Sequence, residues 1–127
     1  MTIDELLNKI KEMASNVYLE LGGGYIESAY ENAMAVEFRH GNLIYDVQKT
    51  TEIFYKGEKV GEHQLDFIVS SELVVELKAV TSISKSHIAQ LKSYLRTLKL
   101  SQGVVINFPY PDKDCPEFEI VNLDVSK

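Results

Sequence analysis

The stretch "GEHQLDFIVSSELVVELKA", residues 61–79, constrains this chain more than any other. Two runs, 59–69 and 73–79, read as strands, and Ser70-Ser71-Glu72 reads as the turn between them. Yet Asp66, Glu76 and Lys78 lie within these water-averse runs, where a charge is costly to bury unless it has a partner. Strand side chains alternate, so Glu76 and Lys78 share a face with Val74, while Leu73, Val75 and Leu77 take the other. A three-residue turn pairs Val69 with Leu73 and sets Asp66 opposite Glu76, with Cβ atoms about 5 Å apart. One residue of slip sends Asp66 to the wrong face.

Two carboxylates that close repel unless a cation lies between them or one takes up a proton. With a third oxygen, such as the Leu77 carbonyl, they form a hard, oxygen-rich site suited to Mg²⁺ or Mn²⁺. Lys78, one pleat along on the same face, is placed to hold or deprotonate a water there, or to steady a phosphoryl oxygen. The same residues also fit a structural ion pair, Lys78 with either acid, at the edge of a half-exposed sheet. The hairpin alone leaves both readings open.

The flanking elements set the fold class. Thr2-Ile3-Asp4-Glu5 has the form of a capping box, and Ile3, Leu6, Leu7, Ile10, Met13, Ala14, Val17 and Leu21 follow at helical spacing up to the Gly22–Gly24 stop. A second helix is expected over 26–40, with Ile26, Ala29, Tyr30, Ala33 and Met34 inward and Gly41 as its stop. Strands follow at 43–49 and 51–55, with Lys56-Gly57-Glu58 as a hairpin turn before the strand at 59–69. A third helix spans about 84–98, with Ile88, Leu91, Leu95 and Leu98 as its buried stripe. "GVVINF", 103–108, is a buried strand, and a loop over 109–116 leads to a last strand near "FEIVNL". The order ααββββαββ implies an α/β class protein, a mixed α+β sheet with helices against it. With 127 residues it is expected to be one domain, 1–127, around one modest core.

Charge is unevenly spread. The net charge is −6, yet no acidic residue occurs from Leu77 to Pro111, where Lys78, Lys85, Lys92, Arg96 and Lys99 are basic. Such a segment can hold a polyanion, and equally can be a solvated helix face. The apolar runs are too short to span a bilayer, and the N-terminus lacks a signal or transit layout. A lone cysteine, Cys115, fits a reducing, cytoplasmic setting, and three scattered His with no CxxC pair argue against zinc.

Two further patterns flank the hairpin. "GYIESAY", 24–30, has the form GxxExxY and places Glu27 in the first turn of the second helix, where the helix dipole also favours an acid. Tyr30, three residues on, is positioned to pack or hydrogen-bond beside it. "QLKSY", 90–94, has the form QxxxY and lines Gln90 up with Tyr94 at the rim of the third helix's apolar stripe, with His87 one turn earlier.

In this order, GxxExxY, Asp, Glu-x-Lys and QxxxY, the chain resembles the PD-(D/E)XK nuclease superfamily, and within it the RecB-like branch and the small single-domain GxxExxY proteins. The likeness covers residues 3 to 123 and includes the "INF" strand, 106–108. Leu65-Asp66 stands where the superfamily's name has Pro-Asp. The resemblance implies a restriction-endonuclease-like core, a central mixed sheet flanked by helices. It implies Asp66, Glu76 and the Leu77 carbonyl as metal ligands, Lys78 as catalytic lysine, and Glu27 completing the acidic cluster directly or through water. Gln90 and Tyr94 would position the substrate backbone or the site side chains. The expected activity is Mg²⁺- or Mn²⁺-dependent hydrolysis of phosphodiester bonds, DNA above all. Lys85, Lys92, Arg96 and Lys99 would hold the strand, with His87 a secondary phosphate contact. A chain this small has limited surface for gripping a duplex, which makes a homodimer an expectation, as in resolvase-like relatives. The alternatives are a catalytically inactive module of the same fold, serving as a nucleic-acid or protein adaptor, and a small dimeric interaction protein.

Overall fold

The computed structural model describes residues 1–47, 49–111 and 113–124. Residue 48 of the expected first strand, residue 112 of the expected loop, and 125–127 at the end of the expected domain lie outside them. The chain opens with α1 (Ile3–Leu21) and α2 (Glu27–His40). Thr2 caps α1 reciprocally: its hydroxyl accepts from Glu5 N at 3.1 Å, and Glu5 Oε1 accepts from Thr2 N at 3.3 Å. In α2, Tyr30, Met34, Ala35 and Phe38 are buried. Ile26, expected on the inner side, is exposed because it is the N-cap residue and has not entered the helix.

Five strands build the central sheet in the order β1 (Tyr45–Val47), β4 (Phe67–Val69), β5 (Leu73–Lys78), β6 (Gln102–Asn107), β7 (Glu117–Asn122). Among the described residues only β5 and β6 run parallel, joined through α3 (Lys85–Leu98); the other neighbours are antiparallel. Leu73, Val75, Leu77, Val104, Ile106 and Phe108 pack on one side with α1 and α2. Val74, Ile68, Val105 and Val121 pack on the other with Leu91, Tyr94 and Leu95 of α3. Gly103 allows that close approach, since a Cβ there would come within 2.9 Å of Leu91 Cδ1.

The expected strand at 59–69 is two strands. Among the described residues β3 (Glu58–Gln64) pairs only with β2 (Thr50–Tyr55), as a separate two-stranded arm, and β4 begins at Phe67. The chain changes partner because its next two amides point elsewhere. Leu65 N donates to Lys49 O at 3.0 Å, and Asp66 N donates to a side chain across the hairpin. The element order is therefore ααβββββαββ among the described residues. The arm's turn is Lys56-Gly57 alone, both at positive φ (50 and 81), as a two-residue hairpin turn requires. The second hairpin has the expected register, with Val69 opposite Leu73 across Ser70–Glu72.

Candidate functional site

The β4–β5 ladder ends at Phe67 opposite Val75. One step further, side chains replace the backbone ladder. Asp66 N donates to Glu76 Oε1 at 3.0 Å, and Leu77 N donates to Asp66 Oδ2 at 2.7 Å. These crossed bonds hold the two carboxylates together at the open end of the hairpin, on the α3 side of the sheet. Each bond uses one oxygen of its acid, Oε1 of Glu76 and Oδ2 of Asp66.

The electrostatics of the pair are unfavourable as they stand. Glu76 is 5 % exposed. Burial above all, and then the charge of Asp66, raise its carboxyl to about 8. Burial likewise raises Asp66, to about 6, against the bond from Leu77 N, with Glu31 and Glu27 adding to the rise. Lys78 favours the charged form of both acids through space, yet among the described residues it forms no ion pair with either. The ion-pair reading of the hairpin is therefore not what the chain builds.

Glu27 stands in the first turn of α2, and its field reaches Lys78, Asp66 and Glu76. Its own carboxyl is raised by burial and opposed by Lys78. Glu31, one turn later, joins the same field, and sequence reasoning missed it; the Glu-x-x-x-Glu spacing was the available signal. Tyr30 is buried. Its hydroxyl donates to Gly22 O at 2.7 Å and its ring stacks on Phe108 at 4.3 Å, fastening the glycine loop from which α2 starts.

On α3, Tyr94 is buried and pushed up to about 12 by burial and then by the charges of Glu76 and Asp66. Gln90 is exposed one turn earlier. His87 is part of the helix cap: its Nδ1 accepts from Ser84 N at 3.1 Å, and burial and Lys78 lower its ring. Lys85, Lys92, Arg96 and Lys99 are all exposed. At about 100° per residue, Lys85, Lys92 and Arg96 fall about 160–180° around the helix from Tyr94. The basic stripe thus faces away from the carboxylates. His63 of the arm, which the sequence did not mark, meets the Tyr94 ring edge-on at 4.4 Å.

A family model described as the PD-(D/E)XK nuclease superfamily matches residues 4–118. The chain belongs to that superfamily. Its fold is similar to a solved chain titled "Crystal structure of SSO0001", with a TM-score of 0.57 and 19% identity over 78% of this chain and 52% of that one. The present chain therefore spans about half the length of that neighbour, and the likeness speaks for the fold alone. No curated protein sequence matches the chain.

PD-(D/E)XK nucleases typically use divalent metals, and the donor set here fits one. The fit lies in two adjacent carboxylates, Glu76 buried and Asp66 half-buried, whose affinity for protons is raised above all by burial. In a strand, the N–H and C=O of one residue leave on the same side. Leu77 N points at Asp66, so its carbonyl opens toward the acids as well. Among the described residues, no three His, Cys, Asp or Glu side chains converge closely enough to hold a metal by themselves. The set is thus two carboxylates and a backbone oxygen, with Glu27 nearby.

Asn107 supports this end of the sheet and was also missed. It pairs with Lys78 in the parallel register and is 0 % exposed. Its Oδ1 accepts from Val80 N at 2.9 Å, while Nδ2 donates to Val80 O at 3.0 Å and to Glu117 Oε1 at 2.7 Å. The amide clamps the backbone two residues past Lys78. The clue was a polar side chain inside the apolar run "GVVINF".

Proposed function

We propose that the chain is a divalent-metal-dependent nuclease, hydrolysing phosphodiester bonds of DNA, and a small RecB-like member of the GxxExxY type. The observation that carries this is the Asp66–Glu76 pair, with Glu76 buried and Asp66 half-buried, cross-linked to the hairpin backbone and in no ion pair among the described residues. A soluble core gains nothing from two adjacent buried acids, whereas a site built for a cation requires them.

Asp66, Glu76 and the Leu77 carbonyl would hold Mg²⁺ or Mn²⁺, which supplies positive charge to polarise the phosphate and acidify water beside it. Lys78 adds a fixed positive charge on the same face and orients water or a phosphoryl oxygen. Glu27, in the field of Lys78, would complete the acidic cluster directly or through water. Tyr94, protonated across the working pH range, donates its hydroxyl hydrogen to a substrate or carboxylate oxygen, and Gln90 contacts the strand from the exposed turn beside it. The basic stripe of α3 then meets phosphates outside the reacting bond.

The test is purified protein with Mn²⁺ or Mg²⁺ against single-stranded, duplex, flapped and four-way DNA and RNA. Wild type should cleave at least one of these, and Asp66→Asn and Glu76→Gln should cleave none. A wild type inert on all of them with both metals would remove the nuclease reading.

A further inference from the structure

The β2–β3 arm stands outside the central sheet and packs on α3, with His63 against Tyr94 of the site just described. Its two faces differ in charge. On one, Glu52 lies opposite Glu62, with Thr50 opposite Gln64, and Lys59 pairs with Glu62. Like charges placed together there disfavour a phosphate backbone. On the other, Thr51 lies opposite His63 and Ile53 opposite Gly61, half-buried and without carboxylates, and Tyr55 lies opposite Glu58 at the exposed tip. Gly61 keeps that face flat, and a Cβ there would rest 3.6 Å from Ile53 Cδ1.

The ends of the arm are as distinct as its faces. Phe54 and Tyr55, at the tip, are 60% and 63% exposed, and Lys56 Nζ lies 5.5 Å from the centre of the Tyr55 ring. At the base, His63 abuts Tyr94, and the chain runs through Leu65 directly into Asp66. From Thr51 to Tyr55 the strand spans about 14 Å. An uncharged stretch of one face thus leads from the Tyr55 ring toward the paired carboxylates, while Phe54, its neighbour in the strand, presents its ring on the opposite face of the tip.

We propose that the arm is a base-stacking finger for an unpaired stretch of nucleic acid. Phe54 and Tyr55, on opposite faces of the tip, each take a base face, Lys56 meets a neighbouring phosphate, and the nucleic-acid strand runs from the Tyr55 side toward Asp66 and Glu76. This rests on the nuclease reading above and adds the preferred substrate form. Aromatic rings bind any unstacked base, whereas the bases of a duplex interior have no free face to offer.

The test is fluorescence anisotropy in Ca²⁺, with probe integrity checked on a gel, using labelled oligothymidine and a blunt duplex. Wild type is compared with the Phe54→Ala/Tyr55→Ala pair and the conservative Phe54→Tyr/Tyr55→Phe pair. The alanine pair should weaken single-strand binding about tenfold or more and leave duplex binding within about twofold, while the conservative pair binds as wild type. No loss, or equal loss on both probes, would overturn the proposal. So would conversion of a dimer to a monomer in sedimentation, which would assign the rings to a second copy. Mn²⁺ cleavage on the same proteins separates the two levels. If wild type cuts and the alanine pair binds like wild type, only the finger is lost; if wild type neither binds nor cuts, both readings fall.

Discussion

Two hairpins made from one continuous stretch, residues 50–78, differ in what they do with charge. The β2–β3 arm carries Glu52, Glu58, Glu62, Lys56 and Lys59, all exposed and solvated. The β4–β5 hairpin carries fewer charges, yet it buries Glu76 and half-buries Asp66 between the sheet and α3. A surface charge interacts weakly through water, while a buried one must be paired, protonated or coordinated. Location, rather than number, marks the site. The arm's unusual feature is the reverse, apolar rings left in water.

The largest expected break in this contrast is catalytic. Asp66→Asn, Glu76→Gln and Lys78→Ala should each lower Mn²⁺-dependent cleavage by at least about 10²–10³-fold, with circular dichroism unchanged. Charge substitutions in the arm, such as Glu52→Gln, should leave the rate within about twofold, because exposed charges act through screened solvent. Next comes Asn107→Ala, which leaves the part-buried Val80 N–H without its partner and takes one of two hydrogen bonds from Val80 O, which still accepts from Tyr110 N. Urea unfolding should show a loss of about 2–3 kcal/mol.

A smaller effect follows from protons. The raised carboxyls of Asp66 and Glu76 mean that the folded chain retains protons which the unfolded chain, at 3.8 and 4.5, has released. Their contribution is therefore greatest in acid and is lost as pH rises through about 6 and then about 8. The metal-free protein should melt lower at about pH 8.5 than at about pH 5, and Glu76→Gln should flatten the difference. Mg²⁺ added at the higher pH should restore melting in wild type alone. Smallest of all, Phe54→Ala should shift stability by no more than about 0.5 kcal/mol, since the ring buries little surface.

Much of the central sheet was legible because apolar periodicity and turn residues agreed. The 70–72 turn, on which the facing of Asp66 and Glu76 depends, falls in the expected register. The break at Leu65–Asp66 was not legible, because a change of pairing partner leaves no mark in alternation: both halves of 59–69 read as strand. Tyr94 was expected at a rim and is buried, since His63 of the arm covers it, a contact between residues 31 positions apart in sequence. The basic residues of α3 were visible as a cluster, but only the placement of the helix's buried face shows that they point away from the acids. Glu31 and Asn107 fit no motif and gain their place from tertiary contact alone.

The central claim is that the Asp66–Glu76 pair is built for a divalent cation. Titration calorimetry of Mn²⁺ into the purified chain tests it most directly. Wild type should bind, and Asp66→Asn and Glu76→Gln, each shown to be folded, should lose that binding. Wild type that takes up no Mn²⁺, or variants that bind it equally well, would contradict the claim.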